Sequence, residues 1–534
     1  MSWTFLCPNA IKLGLFVVIA ATLSACVSQQ TQQTPSLLRQ SHGYVIAEIP
    51  RVIGTNPPAI MLRAISTGSE FELVPTQPSS QTLALWVPQG TYEISGMVGN
   101  DKGTYTPIQV QAGKVTDLGG LTWASVGDRK RVLLPLRHRE IKANIDKATN
   151  RIDELVSSER IEWKPSAPPK PQPIPTESTN LGLVADLLVA YAEEMNSPPL
   201  REQLREAKSI EAFTKIFVSS APPLLGDPSY NDDGSIYIGS NFGQLRKRDS
   251  QGTWRSSDTG TISAITAVEA SARRIIVGTY DGLLLTSTDN EETWNRLHKF
   301  DDGEMVLSIH LIGNQYFVLT GRSKSPSVGA LTAIDSLQVY TLNLPNQAQP
   351  KLVRKIELPS KLSFFGLPSV KGIHAGKYYL VNALTSVERF DLDSLSWKKL
   401  SLPHDATRLH PASNGSVITA FKAQGAFSKL SISTDFGETW SSIETPPYPV
   451  NDIRMESPAS GFASRWDMGL FASALQWMQY DSATKSWKQT WAAPPSACVR
   501  TIRDVSGKER FCVSGGGSVL RVGSGKLEPE FLAD

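Results

Sequence analysis

The feature that most constrains this chain is a spaced series of tryptophans, each preceded by a short polar turn. Trp254, Trp294, Trp397, Trp440 and Trp487 follow one another at intervals of 40, 103, 43 and 47 residues. The long interval is close to two short ones, which predicts a repeat around Met305 to Leu344 that has lost its tryptophan. Strand-like runs closed by glycine precede the first copies, as Ile236-Tyr237-Ile238-Gly239 and Ile275-Ile276-Val277-Gly278, and the cadence returns as Phe511-Cys512-Val513-Ser514-Gly515. A period of about 40 to 50 residues built from β-branched strands and glycine turns is the mark of a β-propeller of four-stranded blades. The fold expected is therefore mainly β. At about 45 residues per blade, residues 214–534 make seven blades, with six or eight open as alternatives.

The turns themselves carry a pattern. Ser433-Thr434-Asp435-Phe436-Gly437-Glu438-Thr439-Trp440 reads Ser-x-Asp-x-Gly-x-Thr-Trp, and Ser287-Thr288-Asp289-Asn290-Glu291-Glu292-Thr293-Trp294 departs from it only where Glu291 replaces the glycine. Eroded copies surround Asp249 to Trp254, Asp393 to Trp397 and Asp481 to Trp487. These residues resemble the Asp-box, or BNR, repeat family, propellers of the broad WD40/YVTN-like class that include sialidases as well as non-enzymatic assembly and sorting proteins. The resemblance covers roughly residues 214 to 530. It implies a structural role for Ser287, Asp289, Thr293 and Trp294 and for Ser433, Asp435, Gly437, Thr439 and Trp440. Serine and aspartate accept backbone N–H bonds in the hairpin between a blade's outer strands, and tryptophan covers the hydrophobic layer. Asp289 and Asp435 are then not catalytic acids.

The N-terminal 25 residues carry one charge, Lys12, then the apolar run Leu13 to Ala21 and Leu23-Ser24-Ala25-Cys26. The apolar core is too short for a permanent membrane helix and reads as a signal peptide. Leu-Ser-Ala-Cys resembles the lipobox, which implies cleavage before Cys26 and acylation of its thiol, palmitate included, so that the membrane partner is engaged through a lipid anchor. Val27 in place of aspartate resembles the pattern sorted to the outer membrane, periplasmic or surface-exposed. Residues 26–43 are rich in Gln, Ser and Thr and form a tether. Cys498 and Cys512 remain, and an exported chain predicts a disulfide between them, with buried free thiols as the alternative.

Residues 44–137 alternate short strand-like runs with turns, which predicts a small β-sandwich. Trp86-Val87-Pro88-Gln89-Gly90-Thr91-Tyr92-Glu93-Ile94 is similar to the strand opening of carboxypeptidase-regulatory-like sandwiches, in which the tyrosine packs inward. Residues 138–213 read as a helical and Pro-rich connector. One helix is expected over about 139 to 160, a stiff extended linker over Trp163 to Pro175, and two further helices at Leu181 to Met195 and Leu200 to Phe213. The ring is expected to close by pairing a strand near Lys215 to Ser219 with the last blade, because Cys498 to Val522 offers only about three strands.

Chemistry is harder to find. Loss of Lys12 leaves 52 basic against 51 acidic residues, so there is no nucleic-acid footprint. His298, His310, His374, His404 and His410 show no metal-ligand spacing, and His404-Asp405 with His410 is the densest cluster. No phosphate loop, nucleophile elbow or reactive-cysteine context is present, so neither catalytic residues, metal nor cofactor is assigned. Arg322, Arg408, Arg454, Arg465 and Arg500 cannot be sorted into the carboxylate clamp of a sialidase. The expected function is a membrane-anchored, extracytoplasmic lipoprotein whose propeller is a scaffold for an envelope protein or glycan partner. The alternative is a divergent sialidase-like glycoside hydrolase.

Overall fold

The structure is a computed structural model. It describes residues 39–50, 60–76, 81–95, 107–127, 130–136, 160–164, 172–173, 203–204, 206–221 and 226–531. Within the last span it leaves out 272–273, 302, 323–330, 345–348, 359–362, 366–369, 385, 404–405, 407, 413–414, 423–427, 447–449, 451, 469–472, 494–497, 505–508, 515–517 and 524–526. The expected signal peptide, Cys26, the expected tether up to residue 38, the helices expected at 139 to 160 and 181 to 195, and His404-Asp405 all lie outside the described residues.

Residues 229–531 form seven four-stranded antiparallel sheets, each strung in chain order from the inner strand outward. The chain is a seven-bladed β-propeller. The repeat without a tryptophan is the third blade, Glu304–Ile312, Gln315–Arg322, Ser336–Leu342 and Lys351–Glu357. Alternation explains why these segments pair: Phe317 and Leu319 of the second strand face one neighbouring layer, while Tyr316 and Val318 face the other. A blade inside the ring is buried on both faces, so its middle strands read as continuous apolar runs.

The tryptophans sit at or just before the start of the outermost strands, and several clip their blade to the preceding one. Trp440 donates its indole N–H to Ser401 O at 3.1 Å, Trp487 to Glu444 O at 2.6 Å, and Trp254 to Glu530 Oε2 at 3.0 Å. An indole offers a large apolar surface with one donor, which suits a seam between blades.

The two full turn motifs share one hydrogen-bond plan. Asp435 Oδ1 accepts from Ser433 Oγ at 2.7 Å and from Thr439 N at 2.9 Å, while Ser433 Oγ accepts from Gly437 N at 2.7 Å. In the second blade Asp289 Oδ1 accepts from Ser287 Oγ at 2.8 Å and Thr293 N at 3.0 Å, and Ser287 Oγ accepts from Glu291 N at 3.1 Å. Gly437 has φ +90° and Glu291 has φ +72°, so glutamate occupies a left-handed position at a cost of about 1 kcal/mol. Its carboxylate lies 3.2 Å from Lys247 Nζ of the first blade, and both side chains are at most 10 % exposed. We expect Glu291→Gly to destabilise the protein by about 1 to 3 kcal/mol despite relieving the backbone, because it leaves the Lys247 ammonium buried with Tyr237 beside it and without its carboxylate. Adding Lys247→Met should recover most of that loss in urea unfolding; equal instability of single and double variants would show that the ion pair is not the reason.

Ring closure differs from expectation. Lys215 to Ser219 belong to a helix, Ile210–Ser219, which also runs through the expected boundary at 214. Ser209 caps it by accepting from Ala212 N at 3.1 Å, and Phe213, Ile216 and Phe217 lean on Leu134. The β-branched run was misleading because its apolar residues continue the helical spacing begun at Ile210 and Phe213. The last blade supplies all four of its own strands, ending with Leu527–Phe531. Pro529 hides that strand in the sequence, yet an outer edge tolerates proline. Among the described residues the first and seventh blades are joined by side chains. Ile236 and Ile238 pack with Phe511, Val513 and Val519, and Arg248 pairs with Glu530 at 2.9 Å and Glu509 at 3.0 Å.

Before the propeller, one continuous ten-stranded sheet folds over on itself as a half-barrel instead of forming two separate sheets. The strand Glu70–Pro75 links the halves, pairing with Ile60–Ala64 through its first part and with Thr82–Pro88 through Val74 and Pro75. Both halves bury one core containing Val45, Leu62, Leu121 and Tyr92, whose hydroxyl donates to Pro88 O at 2.7 Å. The ends of the proline-rich linker are not free: Arg160–Glu162 runs parallel to Val115–Asp117, and Gln172–Pro173 pairs with Lys130 and Arg131. Proline survives here because it lies at a sheet edge. The opposite face of this sheet, with Tyr44, Ile46 and Leu136, rests on Phe242 and Ile262 of the propeller, and Gln81 Nε2 donates to Ser263 Oγ at 3.0 Å.

In the seventh blade Cys512 is fully buried and disulfide-bonded. Cys498 lies on the adjacent strand, its backbone opposite Ser514.

Candidate functional site

Each inner strand runs the same way, so the hairpins joining first to second strands all lie on one face of the ring. The N-terminal sheet touches the other face, through Phe242 between second and third strands and Ile262 between blades. The central channel is therefore accessible from the first-to-second hairpin face. There it widens into a cup of about 430 Å³, to which six of the seven blades contribute.

Toward the N-terminal sheet the cup is crossed by an ion pair. Asp227, just before the first inner strand, meets Lys371, just before the fourth, at 3.1 Å. Blades one and four are not neighbours in the ring, so this contact spans the channel. The next layer contains His310, His410 and Arg454. His310 Nε2 is 2.9 Å from Gly372 O, and Arg454 Nε is 3.4 Å from Asp452 Oδ2. His410 Nε2 stands 4.0 Å from Asp452 Oδ1 and has no hydrogen-bond partner. At the mouth are Tyr230, 40 % exposed, His374, and Arg503 paired with Glu456.

Enclosure by the ring sets the protonation of these groups. Burial pushes His310 down to about 4, against the pull of its bond to Gly372 O. His410 is held well below the ordinary histidine value, by burial first and then by Arg454 and Lys371. Both imidazoles are neutral at pH 7. Burial lowers Arg503 to about 10, still a cation, whereas Asp452 holds Arg454 charged in spite of burial. On the second blade's inner strand, burial raises Glu269 to about 8, opposed by a hydrogen bond from the Leu311 backbone. The cup thus combines neutral imidazoles with Asp227, Glu456 and Asp504 against Lys371, Arg454 and Arg503, so the charges of its lining balance, and Asp452 outside the lining pairs with Arg454. Such a surface matches a polar, uncharged or evenly charged chain better than a small ion.

Several residues singled out in the sequence lie elsewhere. Asp289 and Asp435 are at the outer hairpins, outside the cup lining. His298 is on an outer strand against Phe300, Arg322 is near Asp301, and Arg465 binds Gln476 at 2.6 Å. Arg408 opens the fifth inner strand and Arg500 lies on the seventh, with its side chain outside the described residues. Among the described side chains of that set only Arg454 reaches the cup, where it is joined by Arg503. His404-Asp405 lie outside the described residues, while His410 lines one cup with His310 and His374. All three occupy the inner strands of successive blades, a signal visible only once the repeats are aligned on their strands. No group of three or more His, Cys, Asp or Glu among the described residues is disposed to hold a metal ion.

The fold and cup define a seven-bladed propeller with a polar central site and an N-terminal β module. Comparisons with known proteins found no matching family model and no matching curated protein. Among solved structures, the chain is similar in fold to YCF48 bound to D1 peptide, at 15 % identity and TM-score 0.41, covering 57 % of this chain and 93 % of that one. YCF48 from Cyanidioschyzon merolae aligns at 13 % identity and TM-score 0.40, over 56 % and 95 % of the two chains. A functionally unknown protein from Desulfotomaculum acetoxidans aligns at 10 % identity and TM-score 0.38, over 55 % and 92 %.

Proposed function

We propose that this is a lipid-anchored envelope protein whose propeller acts as a binding scaffold, holding a polar segment of a protein or glycan in the central cup. The observation that carries the binding half is the charge-balanced cup, with Tyr230 and His374 at its mouth and His410 Nε2 inside with no hydrogen-bond partner among the described residues. Of the cup carboxylates, Asp227 and Glu456 are each tied to a cation and Asp504 accepts from the Glu509 backbone N–H at 2.8 Å, a setting for recognition more than for proton transfer. Leu23-Ser24-Ala25-Cys26 supports the anchor, and no helix among the described residues is long and apolar enough to cross a membrane. Cys498 is proposed as the partner of Cys512.

A photo-crosslinking residue at Tyr230 in the membrane-bound protein should capture a discrete envelope species that disappears with His410→Leu. The same probe at Leu395, 72 % exposed on an outer hairpin, should not capture it. Equal labelling at both positions would remove the cup from the proposal. In parallel, Cys26→Ser should abolish acyl labelling and move the protein to the soluble fraction; undiminished membrane retention would remove the anchor. Glycoside turnover lost on mutating Glu456 would favour a hydrolase instead.

A further inference from the structure

A second cavity, of about 750 Å³, lies on the opposite face of the ring, between the N-terminal sheet, the helix Ile210–Ser219 and the first blade, and shares no residue with the cup. Four separately folded pieces wall it: Leu118 and Leu136 from the sheet, Trp163 from the linker, Val218 from the helix, and Phe242 and Ile262 from the propeller. Its volume falls in the range that encloses a small organic ligand, and apolar walls of this extent favour an apolar occupant over water. Phe242 is held at φ +56°, a conformation rare for an aromatic residue, and packs against Phe217 at 5.2 Å. Backbone outliers of this kind gather at ligand clamps.

The polar end of the cavity states what the occupant must carry. Ser256 Oγ donates to Gln244 Oε1 at 2.8 Å, which leaves the serine lone pairs to accept. Thr261 Oγ1 accepts from Ser263 N at 3.1 Å, which leaves the threonine proton to donate. Gln244 Nε2 reaches Phe242 O at only 3.4 Å. Donors and acceptors side by side suit a hydroxyl, which is both. Asp258 lies at the same end and opposes an anionic head, while Lys164, Lys215 and Glu211 belong to the exposed rim and bring the lining to charge balance.

We propose that this cavity binds a neutral amphiphile, with an acyl or aryl body against Trp163, Phe242 and Ile262 and a hydroxyl head on Gln244, Ser256 and Thr261. Monolauroylglycerol, titrated into the purified full-length protein below its own aggregation concentration, should bind saturably at one per chain by calorimetry. Laurate and dodecyl phosphate, with tails of the same length and anionic heads that Asp258 opposes, should bind about tenfold more weakly, the equivalent of one well-made hydrogen bond. Val218→Trp should fill the space and remove binding; should that variant fail to fold by circular dichroism, Thr261→Val, which keeps the side-chain shape, should weaken binding about tenfold. Absence of saturable binding, equal affinity for the charged amphiphiles, or unchanged binding in a folded variant would each overturn the proposal.

Discussion

Arg248→Ala should destabilise the propeller by about 3 to 5 kcal/mol, the cost of removing one partner from a buried ion pair. Arg248 is 8 % exposed at the side chain and Glu530 11 %. Burial alone would lower the arginine's affinity for its proton, but the hydrogen bond to Glu530 and the charges of Glu530 and Glu509 overcome it. Removal of the guanidinium leaves the Glu530 carboxylate between blades with the Trp254 indole as its nearest remaining donor, and Phe511 loses the cation stacked on its ring at 4.7 Å. Among the described residues no strand crosses this seam, so side chains carry the load that a backbone ladder would share. Guanidinium unfolding should show a lower midpoint and an earlier loss of Trp254 fluorescence. Glu530→Gln, which keeps the geometry and drops one charge, should lose less. An Arg248→Ala protein as stable as the parent would mean that the ring is closed by the apolar cluster around Ile238 and Phe511 alone.

Glu269→Gln should stabilise the protein at pH 8 and above, on the order of 2 to 4 kcal/mol, with little effect at pH 4.5. Folding raises this carboxyl from 4.5 to about 8, so the folded chain keeps a proton that the unfolded chain gives up. The resulting stability is complete below pH 4.5 and is lost as pH rises through 8. An amide is uncharged throughout and removes that alkaline loss. The imidazoles act with the opposite sign. His310 falls from 6.5 to about 4 on folding, so its contribution is present above pH 6.5 and is lost as pH falls toward 4. His410 adds to the same acid limb. Unfolding midpoints of parent and variant should therefore nearly coincide at pH 5, diverge clearly at pH 7 and diverge most at pH 9. Parallel curves would show that Glu269 is ionised in the folded protein, with channel water replacing the lost solvation.

The propeller was legible in the sequence because its determinants are local. A left-handed turn residue, an aspartate that gathers nearby N–H groups and a tryptophan that opens the outer strand act within a few positions of one another, so their spacing survives as a period even where single copies erode. The missing tryptophan of the third blade did not conceal it, since the gap between Trp294 and Trp397 spans two periods. Elements that depend on partners far along the chain stayed hidden. Ile216 to Val218 look like a strand until Leu134 and Leu136 give them a surface to pack on as a helix. Leu527–Phe531 looks like a tail until an outer edge makes Pro529 acceptable. The cup was least legible of all: His310, His374 and His410 are far apart in sequence and ordinary one by one, and only closure of the ring turns their inner strands toward one axis and buries His310 and His410, which makes those two neutral. Local turn chemistry is written in neighbouring residues, whereas a central site belongs to the ring as a whole.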